Sequence, residues 1–470
     1  MNDKRKYSIL VSVMLGGIMG PIDASIVNVI LPTITQFFSV PISTAQWVPM
    51  VYILTMSSLL LFYGRLGDIL GYKRVYLFGL ASFIITSGLC GLSPTIYWLI
   101  LLRGLQGLAA GIMASVPYAI ITGSFPPEER GKALGINAIS ISAGLAIGPS
   151  LGGFVTSLSS WRLVFLINIP IGVAGLLWAH RILPEMKGQP GKMDAPGALA
   201  AFISLFSFFF LINRLQSSGL NDIVVILLLV AGMAGVSFFW IERRSAQPMV
   251  NLKLFRNMTF SFANLSALLN FMSQYVMVFL TPFYLQRVLQ YTPREVGLTM
   301  TSFPLAIMAV APFSGSLSDR IGTKRLACFG AALCALSLFL MSRLQASAGS
   351  FAVVWRLALF GLGTGIFQSP NNSAAMGSVP RPHLGIASGI LATGRNLGMV
   401  LGITTAGAVL YAFVPASVLQ KATLESSEVL SFLSGLKYAY IAGGVATLSA
   451  AVIVCLSSNA DHPQGEIRMS

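Results

Sequence analysis

The chain has 470 residues, 55% of them apolar and only 10% charged, with 30 Lys and Arg against 15 Asp and Glu. Soluble domains carry about 25% charged residues, so this balance excludes a water-soluble globular protein. The apolar residues fall in blocks of about 18–25, the length that crosses a ~30 Å hydrocarbon core as helix; strand alternation is absent, which excludes a barrel and leaves an all-α bundle.

In chain order, fourteen transmembrane spans are predicted, at about 8–31, 47–64, 74–93, 96–118, 132–157, 161–183, 194–213, 222–241, 258–285, 295–317, 325–344, 350–372, 384–411 and 435–457. The first follows Lys4-Arg5-Lys6 as a signal peptide does, but no small-residue cleavage site is evident, so it is read as retained. An even number of spans puts both termini on one side. The connections on that side hold twenty Lys and Arg, against seven on the other: Arg162, Arg214, Arg287, Arg294, Arg343, Lys421 and Lys437. By the positive-inside rule both termini are cytoplasmic. The net charge of +15 then reflects topology and contact with anionic lipid, and nucleic acid need not be invoked. Cys90, Cys328, Cys334 and Cys455 lie in apolar blocks, have no metal-ligand spacing, and read as buried packing residues.

Span 1 holds the one carboxylate deep inside an apolar span: Asp23, in Ile22-Asp23-Ala24-Ser25-Ile26-Val27-Asn28. A charge at that depth is costly unless paired, hydrated or neutralised, so a lone acid reads as a proton site. Between spans 2 and 3 runs Gly64-Arg65-Leu66-Gly67-Asp68-Ile69-Leu70-Gly71-Tyr72-Lys73-Arg74; Gly315-Ser316-Leu317-Ser318-Asp319-Arg320-Ile321-Gly322-Thr323-Lys324-Arg325 repeats it between spans 10 and 11. One copy would pass as an ordinary basic turn. Two at equivalent places point to a gate built from Gly64, Asp68, Gly71, Arg74, Gly315, Asp319, Arg320 and Gly322, in which each Asp caps a neighbouring helix in one bundle arrangement and releases it in another. Pro32 and Pro282, Gly135 and Gly385, and Gly144 and Gly394 recur at the same spacing of about 250 residues. A six-helix unit is therefore written twice, over 1–183 and 258–470, with 184–257 carrying two inserted spans.

Span 4 carries Leu102-Arg103-Gly104-Leu105-Gln106-Gly107. Arg103 and Asp23 each lie about eight residues from the outer ends of their spans, so both are about 12 Å below the outer surface. Equal depth allows pairing or a shared water network. A neighbouring Arg favours the carboxylate and burial the neutral acid, so a change in their separation would load or release a proton; a static ion pair is the alternative. In span 5, Gly144, Gly148, Pro149, Gly152 and Gly153 let another helix approach and kink the span, with tight packing alone as the plainer reading. Asn28, Gln106, Asn264, Asn270, Gln274, Tyr275 and Arg395 are candidates to line a substrate pathway, against satisfied hydrogen bonds between helices.

Together these features resemble the major facilitator superfamily, specifically its fourteen-helix drug:proton antiporter branch, over nearly the whole chain. Asp23–Pro32 resemble that branch's span-1 signature, Gly64–Arg74 the loop 2–3 motif, Arg103–Gly107 the span-4 arginine motif and Gly144–Gly153 the antiporter motif. Trp161-Arg162-Leu163-Val164-Phe165-Leu166-Ile167-Asn168-Ile169-Pro170 resembles its start of span 6. Ile69 and Tyr72 depart from the basic residues usual in the first loop motif, and Ser273, which does not titrate, stands at the repeat counterpart of Asp23. The resemblance implies alternating access in which amphiphilic drug-like compounds leave as protons enter, with Asp23 carrying the proton and Arg103 tuning it. The energy source would be the proton motive force, with no cofactor or metal. The expectation is a monomeric multi-pass protein of a bacterial inner membrane.

The rivals are a proton symporter for a nutrient and an exporter dedicated to one metabolite or lipid. An enzyme is remote: Gly148-Pro149-Ser150-Leu151-Gly152 matches a nucleophile elbow in form, but it lies in a membrane span, and His180, His383 and His462 are at interfaces or in the tail. Direct ATP drive is excluded because no Walker A sequence is present.

Overall fold

Backbone groups inside a bilayer have no water to bond to, so each apolar run must close its own hydrogen bonds as helix. The computed structural model describes residues 3–58, 63, 66–67, 69–185, 195–218, 221–244, 252–380, 384–421 and 424–456, and its regular elements are helical. The first half comprises α1 (Asp3–Phe38), α2 (Ile42–Ala45), α3 (Trp47–Ser58), α4 (Tyr72–Gly91), α5 (Ile96–Ser115), α6 (Pro117–Ser124), α7 (Pro127–Leu158), α8 (Leu163–Leu166) and α9 (Asn168–Ile182). Then come α10 (Ala195–Ser218) and α11 (Asp222–Arg244). The second half comprises α12 (Met258–Arg287), α13 (Pro293–Ile321), α14 (Thr323–Met341), α15 (Ser350–Gly377), α16 (Leu384–Phe413), α17 (Ala416–Gln420) and α18 (Ser426–Leu456).

Among the described residues, eleven helices are long and apolar enough to cross a membrane. Shorter apolar stretches at Ala143–Leu158 and Leu199–Ile212 occupy the fifth and seventh predicted spans. The second predicted span begins as α3 and continues into residues outside the description.

Packing follows the same pattern in the two repeats, which α7 and α13 join. In the first, α1 packs on α7 and α9, and α5 on α3 and α4; in the second, α12 packs on α16 and α18, and α15 on α13 and α14. The repeat extends to single backbone angles. Gly71 and Gly322 adopt φ of 92° and 90°, each as the N-cap of the following helix, α4 and α14. Side chains rarely adopt that region, so both copies of the loop motif need glycine there. Gly64 and Asp68 lie outside the described residues, as does the side chain of Asp319, while Arg74 and Arg320 are exposed.

The inserted pair divides its labour. α10 touches α3 in one half and α16 in the other, with Trp47 against Phe206 and Phe210 at 6.1 and 5.5 Å between ring centres. α11 packs on α10 and exposes Val225, Leu229, Met233 and Val236, an apolar face suited to lipid.

Two sequence expectations change. Cys328 and Cys455 are not simply packing residues: the start of α14 meets the end of α18, their Cα atoms are 6.2 Å apart, and they form a disulfide across 127 residues, while Cys90 and Cys334 are buried and free. Arg287 is not in an exposed connection. α12 extends to include it, its side chain is buried, and its Nη1 donates to the Leu419 carbonyl at 3.0 Å where α17 folds over it.

Candidate functional site

Five helices converge on Asp23. Pro21 and Pro32 interrupt the backbone ladder of α1 on either side of it. Arg103 and Gln106, three residues apart, share one face of α5. α4 supplies Ser87, α3 supplies Tyr52 and the Val48 carbonyl, and α9 begins at Asn168. Asp23, Arg103, Gln106 and Ser87 are wholly buried and Asn168 is 2% exposed.

Three side-chain donors point at the carboxylate. Arg103 Nη1 pairs with Asp23 Oδ2. Asp23 Oδ1 accepts from Gln106 Nε2 at 3.3 Å and from Asn168 Nδ2 at 3.2 Å. Arg103 is itself held: Nη1 donates to Gln106 Oε1 at 2.7 Å, Nε donates to the Val48 carbonyl at 3.3 Å, and the guanidinium carbon lies 4.0 Å from the Tyr52 ring centre. The Tyr52 hydroxyl donates to the Gly20 carbonyl on α1 at 3.4 Å. Arg103 Nη2 is buried without a partner. Removing two charges from water is expensive, and only a well-bonded geometry such as this makes the pair tolerable.

A second arrangement closes the end of the bundle opposite the two termini, here called the distal end. On one side, the Tyr411 hydroxyl of α16 donates to Ser43 Oγ at 2.9 Å and accepts from the Ser43 amide at 3.1 Å. Thr404 Oγ1 lies 3.4 Å from Met50 Sδ, and Gln46 packs against Gly407. On the other side, Ser150 of α7 bonds Thr301 of α13, while Gly153 and Gly297 bring the two backbones so close that neither position has room for a Cβ. Between them, Gln286 Nε2 of α12 reaches the Val29 carbonyl of α1 at 3.5 Å.

Residues 13–261 and 263–467 match the Major Facilitator Superfamily. The chain belongs to that superfamily. The riboflavin transporter RibZ of Clostridioides difficile is 33% identical over 406 residues, which cover 85% of this chain and 87% of that protein. The multidrug resistance protein Stp of Mycobacterium tuberculosis is 33% identical over 413 residues, covering 87% and 76%. Among solved structures, a bacterial homolog of the human lysosomal transporter Spinster, in an inward-facing and unoccupied conformation, superposes with a TM-score of 0.68 over 97% of this chain and 98% of its own; at 16% identity the likeness concerns fold. As a superfamily member the protein is a multi-pass membrane transporter, and no catalytic family is indicated.

For a superfamily transporter the sequence candidates fall into three groups. Asp23, Arg103 and Gln106 come together, Gln106 as a ligand of the ion pair. Gly144, Gly148 and Gly152 face α1, while Pro149 and Gly153 meet α13, so one motif serves both the interior of a half and the seam between halves. The remaining polar candidates are spread through the halves. Asn28 and Asn264 each donate to the carbonyl four residues back, of Ala24 and Phe260, at 2.8 Å. Asn270 donates to Thr447 Oγ1 at 3.2 Å; Gln274 and Tyr275 are buried; Arg395 is half-buried, 5.7 Å from the Phe271 ring centre.

Sequence reasoning missed Ser87, Tyr52 and Asn168. A serine and a tyrosine in apolar spans carry no distinguishing signal. Asn168 did, because it is the polar residue inside the Trp161–Pro170 run already singled out.

Proposed function

We propose that this transporter is a member of the fourteen-helix drug:proton antiporter branch and exports small amphiphilic compounds in exchange for protons. The observation that carries the reading is the Asp23 carboxylate, fully buried and addressed by three donors from α5 and α9. Those donors suit an ionised acid. A proton on Asp23 would leave the Arg103 charge uncompensated and at least one donor without an acceptor, so proton arrival must rearrange α1 against α5 and α9. By the positive-inside rule the closed distal end is the outer one. The arrangement described then corresponds to the proton-depleted carrier, with both termini cytoplasmic in a bacterial inner membrane. Substrate enters the monomer from the cytoplasmic side or inner leaflet, the outer seam opens, and Asp23 takes up a proton as substrate leaves. The proton motive force drives the cycle without a cofactor, and the Asp68 and Asp319 loops latch the cytoplasmic side. Relatives described as the multidrug resistance protein Stp and the Tetracenomycin C resistance and export protein support the outward direction.

A transporter dedicated to one metabolite is the second reading, because RibZ, a riboflavin transporter, is 33% identical, the same as Stp. The test is purified protein in liposomes with an internal pH dye, an imposed proton gradient, and ethidium, neutral drugs and riboflavin added in turn. Ethidium or neutral-drug movement opposite to protons, lost in Asp23→Asn, is expected. Coupled movement retained by Asp23→Asn would remove Asp23 as proton site, and response to riboflavin alone would favour the second reading.

A further inference from the structure

We infer that Asn168, anchored by Ser87, is a positioning residue that holds the Asp23 carboxylate and ties it to the distal end of the protein; this rests on the reading of Asp23 as the proton site. The sixth predicted span crosses as Leu163–Ile182, formed by α8 and α9 in line. At Ile167, where α8 passes into α9, the backbone stays helical (φ −63°, ψ −24°) and the Ile167 amide donates to the Leu163 carbonyl at 2.9 Å, so Asn168 is held on a continuous helical path as the first residue of α9. There its amide nitrogen has two hydrogens and two buried acceptors: Asp23 Oδ1 at 3.2 Å and Ser87 Oγ at 2.9 Å. The Ser87 hydroxyl donates its own proton to the Phe165 carbonyl at 2.9 Å, which leaves its lone pairs to accept from Asn168 and from Gln106 Nε2 at 3.1 Å. The directions are mutually consistent, so Asn168 and Gln106 are both aimed at one carboxylate oxygen by the same serine.

The segment from Trp161 to Asn168 meets α1 twice. At its lower end Asn168 bonds Asp23. At its upper end Trp161 packs on Phe37 and Phe38 at 5.6 and 5.5 Å between ring centres. Arg162 lies over Phe37 and Trp161 at 4.7 and 4.5 Å, and its Nη2 donates to the Ser93 carbonyl at 2.9 Å. Phe165, whose carbonyl anchors Ser87, has its ring edge-on to Trp161 at 6.1 Å. A shift of the distal cluster relative to α1 is therefore transmitted through a short, packed segment to a donor on Asp23. The other groups facing the carboxylate are Arg103 and Gln106 from α5, the Cys90 thiol of α4, which donates to Gln106 Oε1 at 3.7 Å, and the Tyr52 ring of α3 beneath the guanidinium.

The test needs no substrate. Purified full-length protein in lipid nanodiscs is titrated with pH and followed by infrared difference spectroscopy; the carboxylic acid band abolished by Asp23→Asn belongs to Asp23. A hydrogen bond to the ionised form favours that form, so its removal in Asn168→Leu is expected to raise the midpoint of this band by about one pH unit. Ser87→Ala, which keeps the amide but loosens its aim, is expected to move the midpoint in the same direction by less, and serves if Asn168→Leu does not fold. A lowered melting temperature with an unmoved midpoint in both variants would make Asn168 a packing residue and overturn the inference. If no band is sensitive to Asp23→Asn, the proton-site reading itself fails, a result distinct from the first.

Discussion

At the scale of single residues the Asp23–Arg103 pair dominates, because it is the one place where two opposite charges are both wholly withdrawn from solvent among the described ion pairs. Breaking such a pair by removing one partner costs about 3–5 kcal/mol, since the remaining charge stays buried and unpaired. Arg103→Gln is expected to lower the melting temperature of the purified protein accordingly, and Asp23→Asn/Arg103→Gln to recover much of the loss. Additive losses in this cycle would mean the two residues do not interact energetically. Arg103→Lys should not restore the wild type, because an ammonium does not reproduce a planar fork that spans Asp23, Gln106 and the Val48 carbonyl.

At the scale of elements, the inserted helices acquire a role that span counting did not give them. α10 presents Phe202, Phe206 and Phe210 as a stacked stripe, and the last two rest on Trp47 beside the contact of α3 with α16. Lipid tails are as apolar as these rings, so the gain is packing, not removal from water, and each aromatic contact is worth about 1 kcal/mol. Phe206→Ala and Phe210→Ala are therefore expected to lower the melting temperature slightly and to reduce distal closure. Closure is read as disulfide yield between Ser150→Cys and Thr301→Cys in protein whose native cysteines are replaced. Unchanged yield in the double alanine variant would confine α10 to a passive covering. α11, with its apolar face outward, should tolerate the same substitutions at Met233 or Val236 without effect on that yield.

At the scale of the whole molecule, a transporter needs two arrangements close in free energy, so the closed end should not be too stable. Gln46 meets that need. It is wholly buried in the distal seam, and neither its Nε2 nor its Oε1 has a partner. An unsatisfied buried polar group costs about 1–3 kcal/mol, which separation of the halves would relieve by admitting water. Gln46→Leu is expected to increase the Ser150→Cys/Thr301→Cys disulfide yield and to slow transport. A lower yield would show that Gln46 supports closure.

Periodicity, length and charge were enough for the helical bundle, the order of its spans, the duplicated loop motif and the matching depth at which Asp23 and Arg103 pair, because each follows from the free energy of placing a residue at a given depth in hydrocarbon. The matching φ of Gly71 and Gly322 shows how far that reading carries. Contacts across the bundle were beyond it. That Ser87 orders the donors on Asp23, that Cys328 meets Cys455, that Arg287 is buried and that α10 spans α3 and α16 all depend on which helix faces which. Hydrophobicity in a membrane fixes depth but is nearly indifferent to rotation and neighbour, so those choices were left to close packing and directional hydrogen bonds, which exist only once the helices have assembled.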